Sequence, residues 1–460
     1  MTQALTITDL AFTYVGRSQP TINHVHLSLR AGEIVLIAGA TGSGKSTLLN
    51  CLAGISPLHT GGHLSGEIRA NGESLLTWTV QQRSRILGVV LQNVETQIFT
   101  DQVSEELAFG LENLNLPPTQ IQLLTETALQ EFSLLRQRHW PIARLSAGQK
   151  QRLMLACVLA MNQPVLLLDE PFAYLDRAGG EFLLRLLQQR AAQGQTVVLV
   201  EHRLDLVRSI CDRQFYFAAG HLVEMGETPE MHHSAKPKVK MPNSSMPVIL
   251  SAHVSSLPSS PSGSLLVTRN VRLGNYPAFP DLAVVPGEIV LLKGDNGCGK
   301  TTFLKLVCGL LKPTTGCIEL LGRNIQKQRV VEIAKTVGFV LQNPNHQLFA
   351  ESVRQEVMQS GVSAAIAAHL LAQLQLSDQA EQHPQSLSQG QKRRLALGAV
   401  LARQPRLCLL DEITVGQDPR SLALMLHVLQ AFTQQGGTLI LTSHDPQVAD
   451  TLNARIIEFL

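Results

Sequence analysis

The chain has 460 residues, of which 44% are hydrophobic and 16% are charged, and its formal net charge is +2. This length allows two or three domains with sizeable cores, and the composition is too apolar for a disordered chain. The small net charge argues against a nucleic-acid surface, and the seven cysteines include no C-x-x-C pair of the kind that binds metal. The N-terminus lacks the pattern of a signal peptide, and no apolar run approaches the roughly 18 residues that a membrane-spanning helix needs.

The first half of the chain contains a glycine-rich loop between a predicted strand (33–38) and a predicted helix (45–53). The loop, GATGSGKS, fits the phosphate-binding pattern G-x-x-x-x-G-K-[ST] in the strand–helix context that the pattern requires. Its glycines let backbone N–H groups converge on phosphate oxygens, and the helix N-terminus adds a positive dipole end. We expect the lysine to reach the β- and γ-phosphates and the following hydroxyl to ligate Mg²⁺. The candidate binding residues are Gly39, Ala40, Thr41, Gly42, Ser43, Gly44, Lys45, Ser46 and Thr47.

A second strand in this half ends in two carboxylates. Residues 149–160 predict a helix, and the apolar run 165–168 predicts a buried strand that delivers Asp169 and Glu170 to its carboxyl end. Asp169 is suited to hold Mg²⁺ directly or through water. Glu170, on the other side of the pleat, is suited to polarise an attacking water. A further predicted strand, 196–200, is followed by His202.

The second half of the chain repeats the first. AGEIVLIAGATGSGKSTLLNCLAG (31–54) returns as PGEIVLLKGDNGCGKTTFLKLVCG (286–309), and LQNVETQIF (91–99) returns as LQNPNHQLF (341–349). Five such landmarks recur in one order, which indicates an internal duplication. The second phosphate loop comprises Gly294, Asp295, Asn296, Gly297, Cys298, Gly299, Lys300, Thr301 and Thr302, and the second carboxylate pair is Asp411 and Glu412.

Strands that are apolar throughout and alternate with helices indicate a largely parallel sheet covered on both faces. We therefore predict an α/β fold with two tandem phosphate-loop domains, at 1–235 and 265–460, each with a mainly parallel sheet core and a helical subdomain. The intervening residues 236–264 are rich in Pro and Ser, which is typical of a linker. The densest basic cluster, Lys392, Arg393 and Arg394, is expected on a solvated helix face.

A third repeated element gives the chain a family resemblance. Leu-Ser-x-Gly-Gln occurs at 145–149 and at 387–391, and together with the phosphate loops it resembles the signature of the ATP-binding-cassette (ABC) ATPases. In that family two cassettes bind two ATP molecules head to tail, so the resemblance implies that each phosphate loop pairs with the signature of the other copy. It also implies ATP and Mg²⁺ as cofactors. The implied signature residues are Ser146, Gly148, Gln149, Ser388, Gly390 and Gln391.

Other positions match functional residues of the same family. His202 and His444 match its switch histidine, which contacts the γ-phosphate, and Gln92 and Gln342 match its Q-loop glutamine, which touches Mg²⁺ and the attacking water. Tyr14 matches an aromatic residue that stacks on adenine. The implied catalytic residues are Glu170, Glu412, His202, His444, Gln92 and Gln342, and the implied metal ligands are Ser46, Gln92, Asp169, Thr301, Gln342 and Asp411.

The pattern L-Q-N-P-x-x-Q-[IL]-F at 341–349 resembles the energy-coupling-factor (ECF) group of importers, as does the run 170–176. In that group the ATPases drive a transmembrane coupling subunit and a small substrate-binding membrane subunit. The resemblance implies these partners, no nucleic acid, and a peripheral position on the cytoplasmic face of the cell membrane. It implies uptake of a vitamin, a precursor or a metal ion. The residues through Phe99 and Phe349 are expected to enter the subdomain where the membrane partner docks.

Some residues depart from the family pattern, and two other functions stay open. Val94 replaces a proline of the Q-loop pattern, and Ile413 and Gln417 replace the usual Pro and Leu after the second carboxylate pair. A fused-cassette ATPase of a sugar importer is one alternative. The other is a translation factor with twin cassettes, but such factors usually carry a long charged helical linker, and residues 236–264 contain no acidic residue.

Overall fold

A computed structural model describes residues 3–70, 72–225, 263–274, 276–295, 297–359, 361–412, 414, 417–443 and 445–459. The chain divides into two compact units, Met1–His232 and His233–Leu460. The predicted linker lies outside the described residues except at 263 and 264, so the domain boundaries given above stay predictions. Across the described residues, no helix combines the length and the apolar character needed to cross a bilayer.

The first unit contains an antiparallel sheet and a mainly parallel sheet. Its strands are β1 (Gln3–Thr13), β2 (Ile22–Arg30), β3 (Ile34–Ala38), β4 (His63–Ala70), β5 (Glu73–Ser74), β6 (Leu87–Val90), β7 (Val165–Asp169), β8 (Thr196–Val200), β9 (Arg213–Ala218) and β10 (His221–Glu224). The antiparallel sheet has the order β2-β1-β4-β5. The other has the order β10-β9-β3-β8-β7-β6 and is parallel except for the β9–β10 pair.

Helices cover the parallel sheet, and those that lie between β6 and β7 in the sequence include a group that packs as a separate layer. They are α1 (Lys45–Ala53), α2 (Val80–Arg83), α3 (Val103–Asn113), α4 (Pro118–Glu131), α5 (Ala147–Ala160), α6 (Arg177–Ala192) and α7 (Leu204–Val207). Helices α3, α4 and α5 pack against one another. This group is the helical subdomain that the sequence predicts.

The second unit repeats this arrangement. Its strands are β11 (Leu266–Arg272), β12 (Leu282–Val284), β13 (Ile289–Lys293), β14 (Thr315–Leu320), β15 (Arg323–Asn324), β16 (Val337–Val340), β17 (Leu407–Leu410), β18 (Thr438–Thr442) and β19 (Arg455–Glu458). Its helices are α8 (Lys300–Val307), α9 (Val330–Ile333), α10 (Val353–Met358), α11 (Ala364–Gln373), α12 (Gln389–Ala402), α13 (Pro419–Gln434) and α14 (Pro446–Leu452). The antiparallel order is β12-β11-β14-β15, and the parallel order is β16-β17-β18-β13-β19.

Strand alternation divides each unit into two hydrophobic cores. In β7, Val165 and Leu167 pack with the antiparallel sheet and α1, whereas Leu166 and Leu168 pack with the helical subdomain. Side chains of successive strand residues point to opposite faces, so a strand that is buried on both faces is apolar throughout. By the same alternation, the side chain of Asp169 is on the same face of the sheet as those of Val165 and Leu167, the face toward α1. The predicted α/β class is confirmed.

Candidate functional site

The loop between β3 and α1 has a backbone that only glycine adopts readily. Gly39, Gly42 and Gly44 have φ values of 153°, 79° and 114°. A Cβ atom on Gly39 would lie 2.4 Å from the carbonyl oxygen of Phe217. The Lys45 ammonium is buried and donates to the carbonyls of Gly39 at 2.8 Å and Ala40 at 2.9 Å. The loop is therefore closed around a fixed cation at the start of a helix, which suits a bound phosphate.

The loop before α8 has the same construction. Gly294, Gly297 and Gly299 have φ values of 157°, 91° and 104°. The Lys300 ammonium donates to the carbonyls of Gly294 at 2.6 Å and Asp295 at 3.0 Å. It also lies 3.9 Å from Sγ of Cys298. Asn296, predicted as part of this loop, lies outside the described residues.

In each unit, a hydroxyl side chain in the first turn of the helix after the phosphate loop forms a hydrogen bond with an aspartate. The aspartate is the last residue of β7 in the first unit and directly follows β17 in the second. Ser46 hydrogen-bonds to Asp169. Thr301 Oγ1 donates to Asp411 Oδ1 at 3.0 Å, and Thr442 Oγ1 donates to the same oxygen at 3.0 Å. The Oδ1 atom of Asp169 is buried and has no hydrogen-bond partner among the described residues. A buried carboxylate oxygen in this position is a suitable ligand for a cation.

The electrostatics of these aspartates also fit a cation. Burial, followed by the charge of Glu170, raises the pKa of Asp169 to about 7, although Ser46 and Lys45 act in the opposite direction. Burial raises the pKa of Asp411 as well. A bound Mg²⁺ favours the ionised form of such a carboxylate. The described residues contain no cluster of three or more His, Cys, Asp or Glu side chains that could hold a metal, and Mg²⁺ is typically bound through one or two carboxylates, substrate phosphates and waters.

Glu170 is the centre of a hydrogen-bonded group in the first unit. Gln92 Nε2 donates to Glu170 Oε1 at 2.8 Å, and His202 Nε2 lies 3.2 Å from the same oxygen. Burial acts to raise the pKa of Glu170, but the hydrogen bond and charge of His202 and the hydrogen bond from Gln92 outweigh it, so the pKa is lowered. Three of the predicted catalytic residues therefore lie together, although they are far apart in the sequence.

Both glutamates adopt a backbone conformation that is rare outside glycine. Glu170 has φ 50° and Glu412 has φ 51°. The Glu412 amide donates to Thr442 Oγ1 at 2.8 Å, and the Glu170 amide donates to the Val200 carbonyl at 2.8 Å. A non-glycine residue at positive φ costs about 1–3 kcal/mol and is commonly found at functional sites. The recurrence of the conformation in both units indicates that the fold imposes it.

The second carboxylate pair is buried like the first. Burial and the charge of Asp411 raise the pKa of Glu412 to about 7, against the opposing charge of Lys300. Gln342 is partly buried after β16. His444, which matches the switch histidine of the family, lies outside the described residues. Its contact with the γ-phosphate therefore stays a prediction.

The two signature serines cap the helices that follow them. Ser146 Oγ accepts a hydrogen bond from the Gln149 amide at 3.2 Å, and Gln149 Oε1 accepts from the Ser146 amide at 2.9 Å. Ser388 and Gln391 form the same reciprocal pair, at 3.3 and 2.9 Å. Each serine oxygen acts as an acceptor in its cap, so the cap does not use the hydroxyl proton. That proton remains suited to donation to an anion.

Gln417, a departure from the family pattern, is buried against the second signature. Its Nε2 donates to the carbonyl of Gly390 at 3.4 Å. Ile413, the other departure, lies outside the described residues. Asp418 caps α13 by accepting from the Ser421 amide at 2.9 Å. The segment after the second carboxylates is thus tied to the signature of its own unit.

Tyr14 lies beside the first phosphate loop. Its hydroxyl is 3.1 Å from Oγ1 of Thr47, and its ring packs edge-on against Phe12 at 4.8 Å. A cavity of about 610 Å³ borders the loop at Gly42 and Ser43 and is lined by residues 16–21. The contact of Tyr14 with the base of a nucleotide stays a prediction.

The two LQN stretches show residues that the sequence prediction missed. The second glutamine of each stretch closes its loop, because Gln97 Oε1 accepts from the Leu91 amide at 2.7 Å and Gln347 Oε1 accepts from the Leu341 amide at 2.7 Å. One buried glutamate then holds the end of each stretch, Glu106 in the first unit and Glu356 in the second. The Glu106 carboxylate accepts hydrogen bonds from the Phe99 and Thr100 amides. The Glu356 carboxylate accepts hydrogen bonds from the Phe349 and Ala350 amides. Each glutamate follows its phenylalanine by seven positions, a recurrence that the sequence could have revealed.

The signature helix is joined to the LQN stretch in both units. Lys150 Nζ lies 2.6 Å from Glu95 Oε1 in the first unit. In the second, Lys392 Nζ donates to Asn345 Oδ1 at 2.9 Å and to Gln385 Oε1 at 2.8 Å. The prediction of a solvated basic cluster was therefore wrong. Lys392, Arg393 and Arg394 are all buried, because α12 packs against the subdomain helices and α13.

Comparison with known proteins places this geometry in a family. The family model described as ABC transporter matches residues 22–173 and 280–415. A Methanosarcina acetivorans protein, provisionally named ABC transporter ATP-binding protein, is 31% identical over 97% of this chain and 83% of its own length. A protein of the same name from Treponema denticola is 30% identical over 98% of this chain and 94% of its own length. A Bacillus subtilis protein, provisionally named HMP/thiamine import ATP-binding protein YkoD, is 31% identical over 98% of this chain and 88% of its own length.

A solved structure described as cbiO1 from Clostridium perfringens, part of the ABC transporter complex cbiONQ, is 28% identical with a TM-score of 0.43, covering 48% of this chain and 88% of that chain. A score of this size adds no argument about function. The two matches to the family model include both phosphate loops, both LQN stretches, both signatures and both carboxylate pairs. With relatives of at least 30% identity along almost the whole length, the chain belongs to the ABC transporter family, as an ATP-binding protein with two fused cassettes.

Proposed function

We propose that this protein binds and hydrolyses ATP at two sites and drives an ECF-type importer through separate membrane subunits. The observation that carries the proposal is the Gln92–Glu170–His202 group beside the first phosphate loop. The second unit supplies Lys300, Asp411 and Glu412 in the matching places of its own loop and strand. Each site contains a phosphate loop, a cation ligand and a carboxylate base, which are the groups that phosphoryl transfer to water requires.

In the proposed reaction, different residues of the first unit bind the phosphates, hold the cation and polarise the attacking water. Lys45 and the amides of its loop bind the β- and γ-phosphates, and Ser46 and Asp169 hold Mg²⁺, which supplies charge neutralisation when bound. Glu170, whose pKa is lowered, is ionised at neutral pH and polarises the attacking water. Gln92 and His202 hold one oxygen of Glu170, which leaves its second oxygen for that water. Gln92 and Gln342 are also the proposed amide ligands of the cation.

We further propose that each site is completed by the signature of the other unit, as the family resemblance implies. In this arrangement Ser388 and Gly390 would close the site of Lys45, and Ser146 and Gly148 would close the site of Lys300. The support is chemical, because a capping serine retains a hydroxyl proton that can be donated to a γ-phosphate oxygen. A helix N-terminus adds a favourable dipole for the same anion. Closure in this way would make hydrolysis depend on both units.

The ECF assignment rests on two further observations. The relative YkoD carries HMP/thiamine import in its name, which agrees with a vitamin or vitamin precursor as cargo. The LQN stretch ends in both units in a highly exposed phenylalanine, Phe99 at 72% and Phe349 at 77% exposure, held by a buried glutamate. An exposed aromatic residue on a fixed backbone is suited to bind a partner. We propose that a transmembrane coupling subunit docks there and that the protein works at the cytoplasmic face of the membrane.

The catalytic part of the proposal is tested with Glu170→Gln and Glu412→Gln, made singly in the full chain assembled with its membrane subunits. General-base groups contribute about 10²–10⁴-fold to rate, so each variant is expected to lose most of its turnover while it still binds ATP. Glu181→Gln, at an exposed glutamate paired with Arg177, is the matched control and should keep normal turnover. Full turnover in either test variant would exclude that site as an obligatory catalytic one.

The transport part is tested by purifying the tagged chain from its native membranes. Recovery of a coupling subunit and a small substrate-binding membrane subunit is the expected result. Recovery of a sugar permease would favour the sugar-importer alternative. Recovery with ribosomal particles instead of membranes would overturn the transport proposal in favour of a translation factor.

A further inference from the structure

Arg203, the residue after His202, spans the two loops that carry the proposed catalytic residues of the first unit. Its Nη2 donates to the carbonyl of Phe172, two residues after Glu170. Its Nε donates to Glu201 Oε1 at 3.1 Å, and its amide donates to the same oxygen at 3.3 Å. One guanidinium therefore connects the loop after β8 with the loop after β7.

The two anchors of this side chain are fixed. Phe172 is fully buried, and Glu201 is 3% exposed at its side chain, whereas the Arg203 side chain is 48% exposed. A buried carboxylate requires a partner, and a guanidinium can satisfy it while a second N–H binds elsewhere. Burial raises the pKa of Glu201, and the charge of Arg203 opposes that rise. Arg203 is thus held from one side by a buried charge and from the other by a buried segment of backbone.

His202 lies inside this connection. The Glu170 amide donates to the Val200 carbonyl and so joins the ends of β7 and β8. Beyond this bond, the His202 side chain contacts the Glu170 side chain. Arg203 adds the outermost tie, to Phe172. Loss of the Arg203 side chain would remove this outermost tie and leave the Glu170–Val200 backbone bond and the His202–Glu170 contact in place.

The second unit makes the same connection with different chemistry. Thr414 Oγ1 lies 2.8 Å from Ser443 Oγ, and both are buried. In the duplicated sequence Thr414 corresponds to Phe172 and Ser443 to Glu201. Asp445 stands in the position of Arg203 and instead caps α14, by accepting from the Gln447 amide at 2.9 Å. The second unit therefore also has a side-chain connection between these two loops, although the residues that form it differ from those of the first unit.

We propose that Arg203 is a positioning residue for hydrolysis in the first unit: it holds His202 against Glu170 by clamping the histidine loop to the backbone of Phe172. Arg203 does not touch the nucleotide in this role and acts through His202. The inference rests on the proposed function, because it assumes that Glu170 and His202 take part in hydrolysis.

The test is a double-mutant cycle in the full chain with its membrane subunits, using Arg203→Ala, His202→Ala and the double variant. For Arg203→Ala we expect kcat to fall at least about tenfold, since a small misplacement of a catalytic group costs up to about 100-fold. The KM for ATP should stay within about twofold, because no ground-state contact is lost. In the His202→Ala background, Arg203→Ala should have no further effect on kcat, because the residue it positions is absent.

Two further variants keep the test decisive. Arg203→Lys should recover part of the lost kcat, because an ammonium can bind Glu201 or the Phe172 carbonyl but does not have the rigid fork that spans both. Arg208→Ala, at an exposed arginine on the same segment, is the matched control and should change nothing. Unchanged kcat in Arg203→Ala, a rise in KM alone, or equal losses in the presence and absence of His202 would overturn the inference. If Glu170→Gln also retained full turnover, the failure would belong to the proposed function instead.

Discussion

Gln92 donates a 2.8 Å hydrogen bond to Glu170, 78 residues further along the chain. The bond joins the start of the LQN stretch, which leads into the helical subdomain, to the carboxylate at the end of β7. The segment that leads into the subdomain is therefore connected directly to the group that is proposed to polarise the attacking water.

This link predicts a loss of turnover in Gln92→Ala and in Gln92→Glu. A hydrogen bond to a charged group is worth about 1.5–3 kcal/mol, so its loss should lower kcat by about tenfold or more. Gln92→Glu should be the more severe change, because it places a second carboxylate against Glu170. The measurement is steady-state ATPase activity, with Gln97→Ala as a control that disturbs the loop without touching Glu170. Equal activity of Gln92→Glu and the unmodified protein would contradict the link.

The signature serine is expected to have two separable roles. Ser388→Ala removes the cap of α12 and should destabilise the second unit by about 1 kcal/mol. Ser388→Asp keeps a good cap, so stability should be retained, but its charge should repel the γ-phosphate and abolish turnover. Thermal unfolding and ATPase assays measure the two effects. Ser363, which caps α11 in the subdomain, is the control, since Ser363→Asp should preserve both. Normal turnover in Ser388→Asp would show that no phosphate approaches this serine.

The exposed phenylalanines predict an uncoupling phenotype. Phe99→Ala or Phe349→Ala should reduce transport more than ATP binding, because these side chains are largely exposed and their backbone is held independently by Glu106 and Glu356. Transport into vesicles and ATP affinity are measured in parallel. Leu123→Ala, at another exposed apolar residue of the first subdomain, should affect neither. An equal loss of transport and ATP binding would remove the distinction between docking and nucleotide sensing.

Cys298 predicts a chemical difference between the two sites. It is partly exposed in the second phosphate loop and lies 3.9 Å from the Lys300 ammonium, so alkylation should block that loop. N-ethylmaleimide should therefore inhibit the ATPase, ATP should protect it, and Cys298→Ser should be resistant. Cys317→Ser, at a partly exposed cysteine of β14, should remain sensitive. Cys51 should stay unmodified, because burial raises the pKa of its thiol to about 12. Continued inhibition of Cys298→Ser would assign the effect to another thiol.

The secondary structure around the site followed closely from local pattern. The helix 45–53 and the strand 196–200 agree with the structure in both bounds, and the strand 165–168 is one residue longer, ending at Asp169. Helix α5 begins at Ala147 instead of 149, because Ser146 and Gln149 form a capping box that starts the helix earlier. Each of these features depends on residues within a few positions of one another, which is the range over which sequence pattern is informative.

Features that depend on distant partners were missed or misjudged. The cluster Lys392, Arg393 and Arg394 has the composition of a solvated surface, yet it is buried because α12 packs against elements on several sides. Glu106 and Glu356 gave no signal of their own as ligands of backbone amides, since any helix can carry an acidic residue near its start. The clamp formed by Arg203 also depends on Phe172, 31 residues earlier in the chain.

The sequence by itself determined the duplication, the two phosphate loops, the carboxylate pairs and the family, because each is a short pattern whose chemistry requires particular residues at fixed spacing. Only the tertiary structure decided which side chains share an oxygen of Glu170, how the LQN stretch is held and how the loop of His202 is tied to the loop of Glu170. The physical reason is that a loop conformation depends on local backbone preferences, whereas a contact between strand ends depends on the order of strands in the sheet. In this protein β8 lies between β3 and β7, and that order brings His202 beside Glu170.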